Sequence, residues 1–295
     1  MPLAQLEKGI DLFFDEVGEG EPLVLIMGIG CQMIYWPDGF CAEIASRGYR
    51  VIRFDHRDIG LSSKLEHLGT PPLLPTLFSG LLGRTVAAPY ALEDMADDVA
   101  SLLDFLGLDS AHVVGASMGG MVAQTMAFTH PHRMRSLVSM MSTTGASGHY
   151  MSEPRALRAI FGPPPKSREE AITRGIEVWR VIGSTGFSFD DAGARDRAGR
   201  SWDRGVYPAG FLRHLGAIAA TGDRTSRLRF VKAPTLVIHG TVDPLLRPVG
   251  GQLTHAAISD SRFELIEGMG HDLPTELWPR FADLIDDNAR RSQRS

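Results

Sequence analysis

Residues 111–124 read AHVVGASMGGMVAQ. An apolar, β-branched run leads into Gly115, Ala116, Ser117, Met118 and Gly119, and a helical pattern follows. G-x-S-x-G between a buried strand and a helix is the setting of a nucleophile elbow, a tight turn that exposes a serine hydroxyl. The flanking glycines suit it, since side chains there would strike the neighbouring strand and helix. The turn also starts a helix beneath Ser117, so the Met118 amide and the positive end of the helix dipole face any oxyanion formed above the serine.

A serine hydroxyl is a weak nucleophile at neutral pH. It needs a base within hydrogen-bond reach and an acid that holds that base in the right tautomer. Working outward from Ser117, both appear where strands should end. TLVIHG at 235–240 is a buried-strand pattern followed by a turn carrying Asp243, and FELI at 263–266 is followed by EGMGHD, which carries His271. Ser117 is thus the expected nucleophile, His271 the base and Asp243 the acid, in the chain order this kind of site uses. Rivals are weighed on placement. His239 lies inside its strand, and His112, His130 and His132 flank the elbow's own strand and helix. Residues 139–144, SMMSTT, offer no carboxylate at the other plausible acid position, and Asp272 is too close along the chain to orient His271. A second oxyanion donor is expected from the glycine-rich turn Met27-Gly28-Ile29-Gly30-Cys31, with the Ile29 amide as the candidate and Gly28 as the neighbouring possibility. The alternative is that these glycines merely end a strand.

Around these motifs, β-branched runs alternate with amphipathic stretches, the pattern of a mostly parallel sheet covered by helices on both faces. Strands are expected at 23–27, 50–55, 111–115, 136–140, 234–239 and 262–266, and helices near 37–47, 92–107, 118–130, 249–257 and 276–288. In the second helix Met95, Val99, Leu102, Leu103 and Leu106 recur at spacings of three and four and form a core-facing stripe. Strand signals vanish between about 146 and 229 and then resume. This predicts an α/β core of residues 1–145 and 230–295 interrupted by a helical cap at 146–229. The run from Leu65 to Ala88, with PPLLPTLFSGLLG at 71–83, either folds over the active-site mouth or packs as a surface loop.

Composition narrows the partners. A net charge of -5 across 295 residues leaves no basic excess for nucleic acid. No apolar run approaches the length of about 20 residues that spans a bilayer, and the N-terminus shows no secretory pattern, so a cytoplasmic protein is expected, as monomer or homodimer. Cys31 and Cys41 are expected as buried free thiols.

Assembled, these blocks resemble the α/β-hydrolase superfamily over nearly the whole chain, and within it the group that includes aclacinomycin methylesterase. The resemblance rests on LIMGIGCQMIYWPDGF, VIRFDHRDIGLSS, HVVGASMGGMVAQ, TLVIHGTVDPLL and IEGMGHDLP, in that order. It implies an α/β-hydrolase fold, a Ser117, Asp243 and His271 triad, an oxyanion hole from Ile29 and Met118, and hydrolysis of a small-molecule ester without metal or organic cofactor. Two departures stand out: Met27-Gly28 replaces the His-Gly of many members, and Asp58 stands where glycine is commoner. Trp36, Trp179, Phe187, Phe189, Trp202 and Tyr207 are expected either to line an apolar substrate pocket or to pack inside the cap. A lactonase, a carbon-carbon bond hydrolase or a perhydrolase would use the same triad, and a ligand-binding protein on this scaffold would lack a complete one.

Overall fold

The computed structural model describes residues 3–6, 9–76, 84–147 and 152–293. The chain runs β1 (Leu3–Gln5), β2 (Asp11–Val17), β3 (Glu21–Ile26), α1 (Asp38–Ala45), β4 (Tyr49–Phe54), α2 (Leu92–Phe105), β5 (Ala111–Ala116), α3 (Met118–Thr129) and β6 (Met134–Met140). After β6 come α4 (Pro154–Ile160), α5 (Arg168–Ile182), α6 (Asp191–Asp203), α7 (Pro208–Thr221) and the single turn α8 (Thr225–Leu228). The chain then returns through β7 (Thr235–Gly240), α9 (Val249–Ala257), β8 (Arg262–Ile266) and α10 (Trp278–Arg291).

Eight strands form one sheet in the order β1-β2-β4-β3-β5-β6-β7-β8. From β4 to β8 every pairing is parallel, while β1 and β2 pair antiparallel at one edge. Alternation along the strands sends side chains to opposite faces. In β3, Val24 and Ile26 join one core with Met95, Val99, Leu102 and Leu103 of α2, whereas Leu23 and Leu25 join another with Phe40 of α1 and Phe281 of α10. Both faces are therefore covered, which is why the central strands read as continuous apolar runs. Residues 118–127 of α3 are all buried, so all but the last two residues of this helix lie inside the fold.

The six strands expected from the sequence are present, with ends shifted by at most two residues. The two N-terminal strands were not anticipated. In DLFFDEV, Leu12 and Phe14 face one core while Phe13 packs with Met33 and Ile34 on the other side, so the alternation that marks a half-buried strand is absent. Of the run from Leu65 to Ala88, residues 77–83 lie outside the described residues. Leu73 reaches the cavity described below, and Pro71 and Ala88 lie against Gly216 of α7. Cys31 and Cys41 are both free; Cys41 is buried, whereas Cys31, against expectation, is only partly buried because it lines the cavity described below, and desolvation pushes both thiols up to about 12. Among the described residues no helix is long and apolar enough to cross a membrane.

Candidate active site

Ser117 sits at the junction of β5 and α3 with φ 56° and ψ −121°, a left-handed conformation that costs a non-glycine residue about 1–3 kcal/mol. The surroundings enforce it. The Ser117 N–H donates to Met140 O at 3.0 Å, and Ser117 O accepts from Met121 N at 3.2 Å and from Ser142 Oγ at 2.8 Å. The turn is close enough that a Cβ on Gly115 would lie 2.2 Å from Gly119 O, and one on Gly119 would lie 2.0 Å from Ile26 O. Only glycine fits either position, so the two motif glycines act as spacers that let strand, turn and helix touch.

β7 and β8 bring the other two candidates in. Asp243 follows β7 in a turn, and its Oδ1 accepts from the Leu245 and Leu246 amides, each at 2.9 Å. Its Oδ2 lies 2.7 Å from His271 Nδ1. Burial alone would raise the Asp243 pKa, but His271 and His239 beside it outweigh that and hold it down at about 2. The ionised carboxylate only accepts hydrogen bonds. Nδ1 of His271 therefore carries the proton, and in the neutral ring Nε2 keeps a free lone pair. Ser117 and His271 both line one cavity of about 660 Å³.

The glycine-rich turn lies beside the serine: a Cβ on Gly28 would be 3.1 Å from Ser117 Cβ. Gly28 O accepts from Cys31 N at 3.3 Å. In a trans peptide the N–H points opposite its carbonyl, so the Ile29 N–H faces away from that bond. Among the described residues neither the Ile29 nor the Met118 amide has a protein acceptor; for Met118 this follows from its place in the first turn of α3.

The competing residues have other partners. His239 Nε2 lies 2.6 Å from Leu246 O and 3.4 Å from Asp243 Oδ2, and its Nδ1 is buried without a partner among the described residues. His112 bonds Ser136 and Glu21, and His130 bonds Asp97, away from the cavity. Asp272 lines the cavity but accepts from Ser184, at 2.5 Å from its hydroxyl and 3.1 Å from its amide. Of the aromatic residues, Trp179, Phe189, Trp202 and Tyr207 line the cavity. Trp36 and Phe187 do not. Trp36 is fully buried and stacks on Phe40 at 5.8 Å beneath the sheet, and Phe187 packs against the same core. Among the described residues no three His, Cys, Asp or Glu side chains are grouped to hold a metal ion.

A second polar cluster, behind the glycine turn, was not found from the sequence. Arg213 of α7 makes a two-point ion pair with Asp58 at 2.7 and 2.8 Å, with both side chains buried. Arg204 reaches Asp55 and Gln32, and the Gln32 amide donates to Ser201 O and Gly205 O. His56 Nε2 bonds Met27 O at 2.9 Å, and His214 of α7 lies between Arg57 O and Gly30 N.

Burial, with the neighbouring His214, lowers the His56 pKa to about 3, and burial lowers that of His214 to about 4. An unfolded histidine titrates near 6.5. Below that pH the unfolded chain binds protons that the folded chain refuses, so stability is full above about 6.5 and falls as the pH drops toward 4. The urea midpoint is expected to be lower at pH 5 than at pH 7, with a loss of up to about 1.4 kcal/mol per pH unit for each histidine. An unchanged midpoint would contradict the burial of two neutral imidazoles.

Comparison with known proteins agrees with this architecture. A family model described as alpha/beta hydrolase fold matches residues 21–177, more than half of the chain. The chain is 28% identical to rhodomycin D methylesterase DauP of Streptomyces sp. (strain C5), with 97% of each chain covered. It is 25% identical to a non-heme haloperoxidase of Rhodococcus erythropolis, over 93% of this chain and 94% of that one. The crystal structure of the enol-lactonase from Burkholderia xenovorans LB400 superposes with a TM-score of 0.70 at 20% identity, covering all of both chains. With its parallel sheet, its strained serine between β5 and α3, and this family match, the chain belongs to the alpha/beta hydrolase fold family and is a hydrolase.

Proposed function

We propose that the protein is a serine esterase acting on a small to medium apolar carboxylic ester. His271 Nε2 takes the proton of Ser117 Oγ as that oxygen attacks the ester carbonyl. The tetrahedral oxyanion is held by the Ile29 and Met118 amides, and the alcohol leaves with the proton returned by His271. Water, deprotonated by His271, then attacks the acyl-enzyme and releases the carboxylic acid and free Ser117. Asp243 keeps the imidazole in the required tautomer throughout.

The observation that carries this reading is the 2.7 Å pair of His271 with an ionised Asp243, at the wall of a cavity that also holds a serine in strained elbow geometry. The likeness to a methylesterase along the whole chain supports the ester as the bond broken. Residues 146–229 serve in this reading as a helical cap that supplies Trp179, Phe189, Trp202 and Tyr207 to the cavity. A second reading, favoured by the similarity to a haloperoxidase, keeps the acyl-enzyme and replaces water by hydrogen peroxide.

The test is hydrolysis of an ester panel varied separately in acyl and alcohol parts. An apolar cavity of about 660 Å³ predicts higher kcat/KM for aromatic or branched esters than for ethyl acetate, by about tenfold or more. No turnover of any ester, with peracid formation from a carboxylic acid and hydrogen peroxide, would replace the first reading by the second.

A further inference from the structure

The Ile29 N–H belongs to the peptide joining Gly28 and Ile29, and the peptides on either side of it are both tied down by buried histidines. On one side, Met27 O lies 2.9 Å from His56 Nε2. On the other, the Gly30 N–H donates to His214 Nδ1 at 3.4 Å. The far nitrogen of His214 lies 2.9 Å from Arg57 O. A carbonyl only accepts and an amide N–H only donates, so the partners fix the tautomer: His214 carries its proton on Nε2 and offers a lone pair at Nδ1. The ring is fully buried and is met edge-on by His56 at 5.6 Å and by Tyr90 at 6.4 Å. His214 reaches this place from α7, 184 residues along the chain from Gly30, on the same helix as Arg213, whose ion pair with Asp58 holds that helix against the core.

We infer that His214 is a positioning residue for the oxyanion hole: by accepting the Gly30 N–H it fixes the turn that aims the Ile29 amide at the developing oxyanion. The inserted helices thereby take part in forming the catalytic centre as well as enclosing it. Burial keeps the ring neutral through the physiological range, so the acceptor is always present. The inference rests on the serine esterase reading above.

Two substitutions separate the roles of the two ring nitrogens. His214→Asn places an oxygen near the position of Nδ1, keeping an acceptor for Gly30 and giving up the bond to Arg57. His214→Gln places its amide nitrogen near Nε2, keeping the Arg57 bond and leaving Gly30 without an acceptor. The readouts are kcat and KM on a p-nitrophenyl ester, affinity for a boronic acid bearing the same acyl group, and melting temperature. The inference predicts that the Gln variant loses about 10- to 100-fold in kcat, with a parallel loss of boronic acid affinity and KM within about twofold. The Asn variant is predicted to keep kcat within about threefold. A Gln variant with wild-type kcat, or an Asn variant as impaired as Gln, would overturn the inference.

A measurement on the unaltered protein stands if either variant fails to fold. Nitrogen-15 spectra of histidine-labelled protein are expected to show His214 with the proton on Nε2, and a proton on Nδ1 would overturn the inference. Its failure is distinct from failure of the esterase reading: in the first case the wild-type protein hydrolyses the ester and Ser117→Ala does not, whereas in the second the wild-type protein fails to hydrolyse it or Ser117→Ala still does.

Discussion

Ser117→Ala is expected to lower ester turnover about ten-thousand-fold or more, with KM little changed. The hydroxyl is the attacking atom in the proposed mechanism, so its loss removes the covalent route and leaves only binding and the oxyanion donors. The expectation is specific to this position. Ser142 also lies at the elbow, but its hydroxyl donates to Ser117 O at 2.8 Å, so it supports the turn and is not free to attack. Alanine at 117 must still accept φ 56°, a conformation strained for either residue. Its effect on stability should stay within about 1 kcal/mol. Folding by circular dichroism, compared with rate, separates the two contributions. Retention of more than about one per cent of the wild-type rate by a folded variant would remove Ser117 from the chemistry.

Asp58→Asn is expected to cost about 3–5 kcal/mol of stability. Asparagine tolerates the positive φ of 69° at this position and keeps nearly the same shape, so the substitution isolates the charge. What remains is a buried Arg213 guanidinium without its counter-ion, together with a weakened acceptor for Tyr90 Oη and Leu65 N–H. The Arg213 charge holds the Asp58 carboxyl below the usual carboxylate range despite the opposing effect of burial. Adding Arg213→Met to Asp58→Asn should restore much of the loss, because the uncompensated charge, more than the missing attraction, makes the single change costly. Urea unfolding of the three proteins measures this. Equal midpoints for wild type and Asp58→Asn would mean that the pair does not hold α7 in place.

The two expectations draw on parts of the molecule that differ in how far the sequence discloses them. The elbow is legible because its requirements are local: Gly115, Ser117 and Gly119 lie within five residues, and a strand and a helix flank them directly. Asp243 and His271 are legible for a related reason. Each follows a strand whose apolar run is plain, and a parallel sheet delivers the ends of its strands to one edge. The Asp58 and Arg213 pair is not legible in this way. Its partners are 155 residues apart, each an ordinary charged residue in its own segment, and only the docking of α7 makes them neighbours. The unusual Asp58 could be noticed in the sequence but not interpreted there. His214 is hidden more completely, since nothing local separates it from the other nine histidines. The aromatic residues show the same limit. Trp36 and Trp202 are alike in type, yet one lies in the core beneath the sheet and the other faces the cavity, a difference set by tertiary packing.

Acylation of Ser117 in turnover is checked by intact and peptide mass spectrometry after reaction with a fluorophosphonate. One adduct per chain is expected, on the peptide containing Ser117, slowed by prior incubation with a boronic acid bearing an apolar acyl group and absent from Ser117→Ala. An adduct on another residue, or an unmodified chain that still hydrolyses esters, would contradict it.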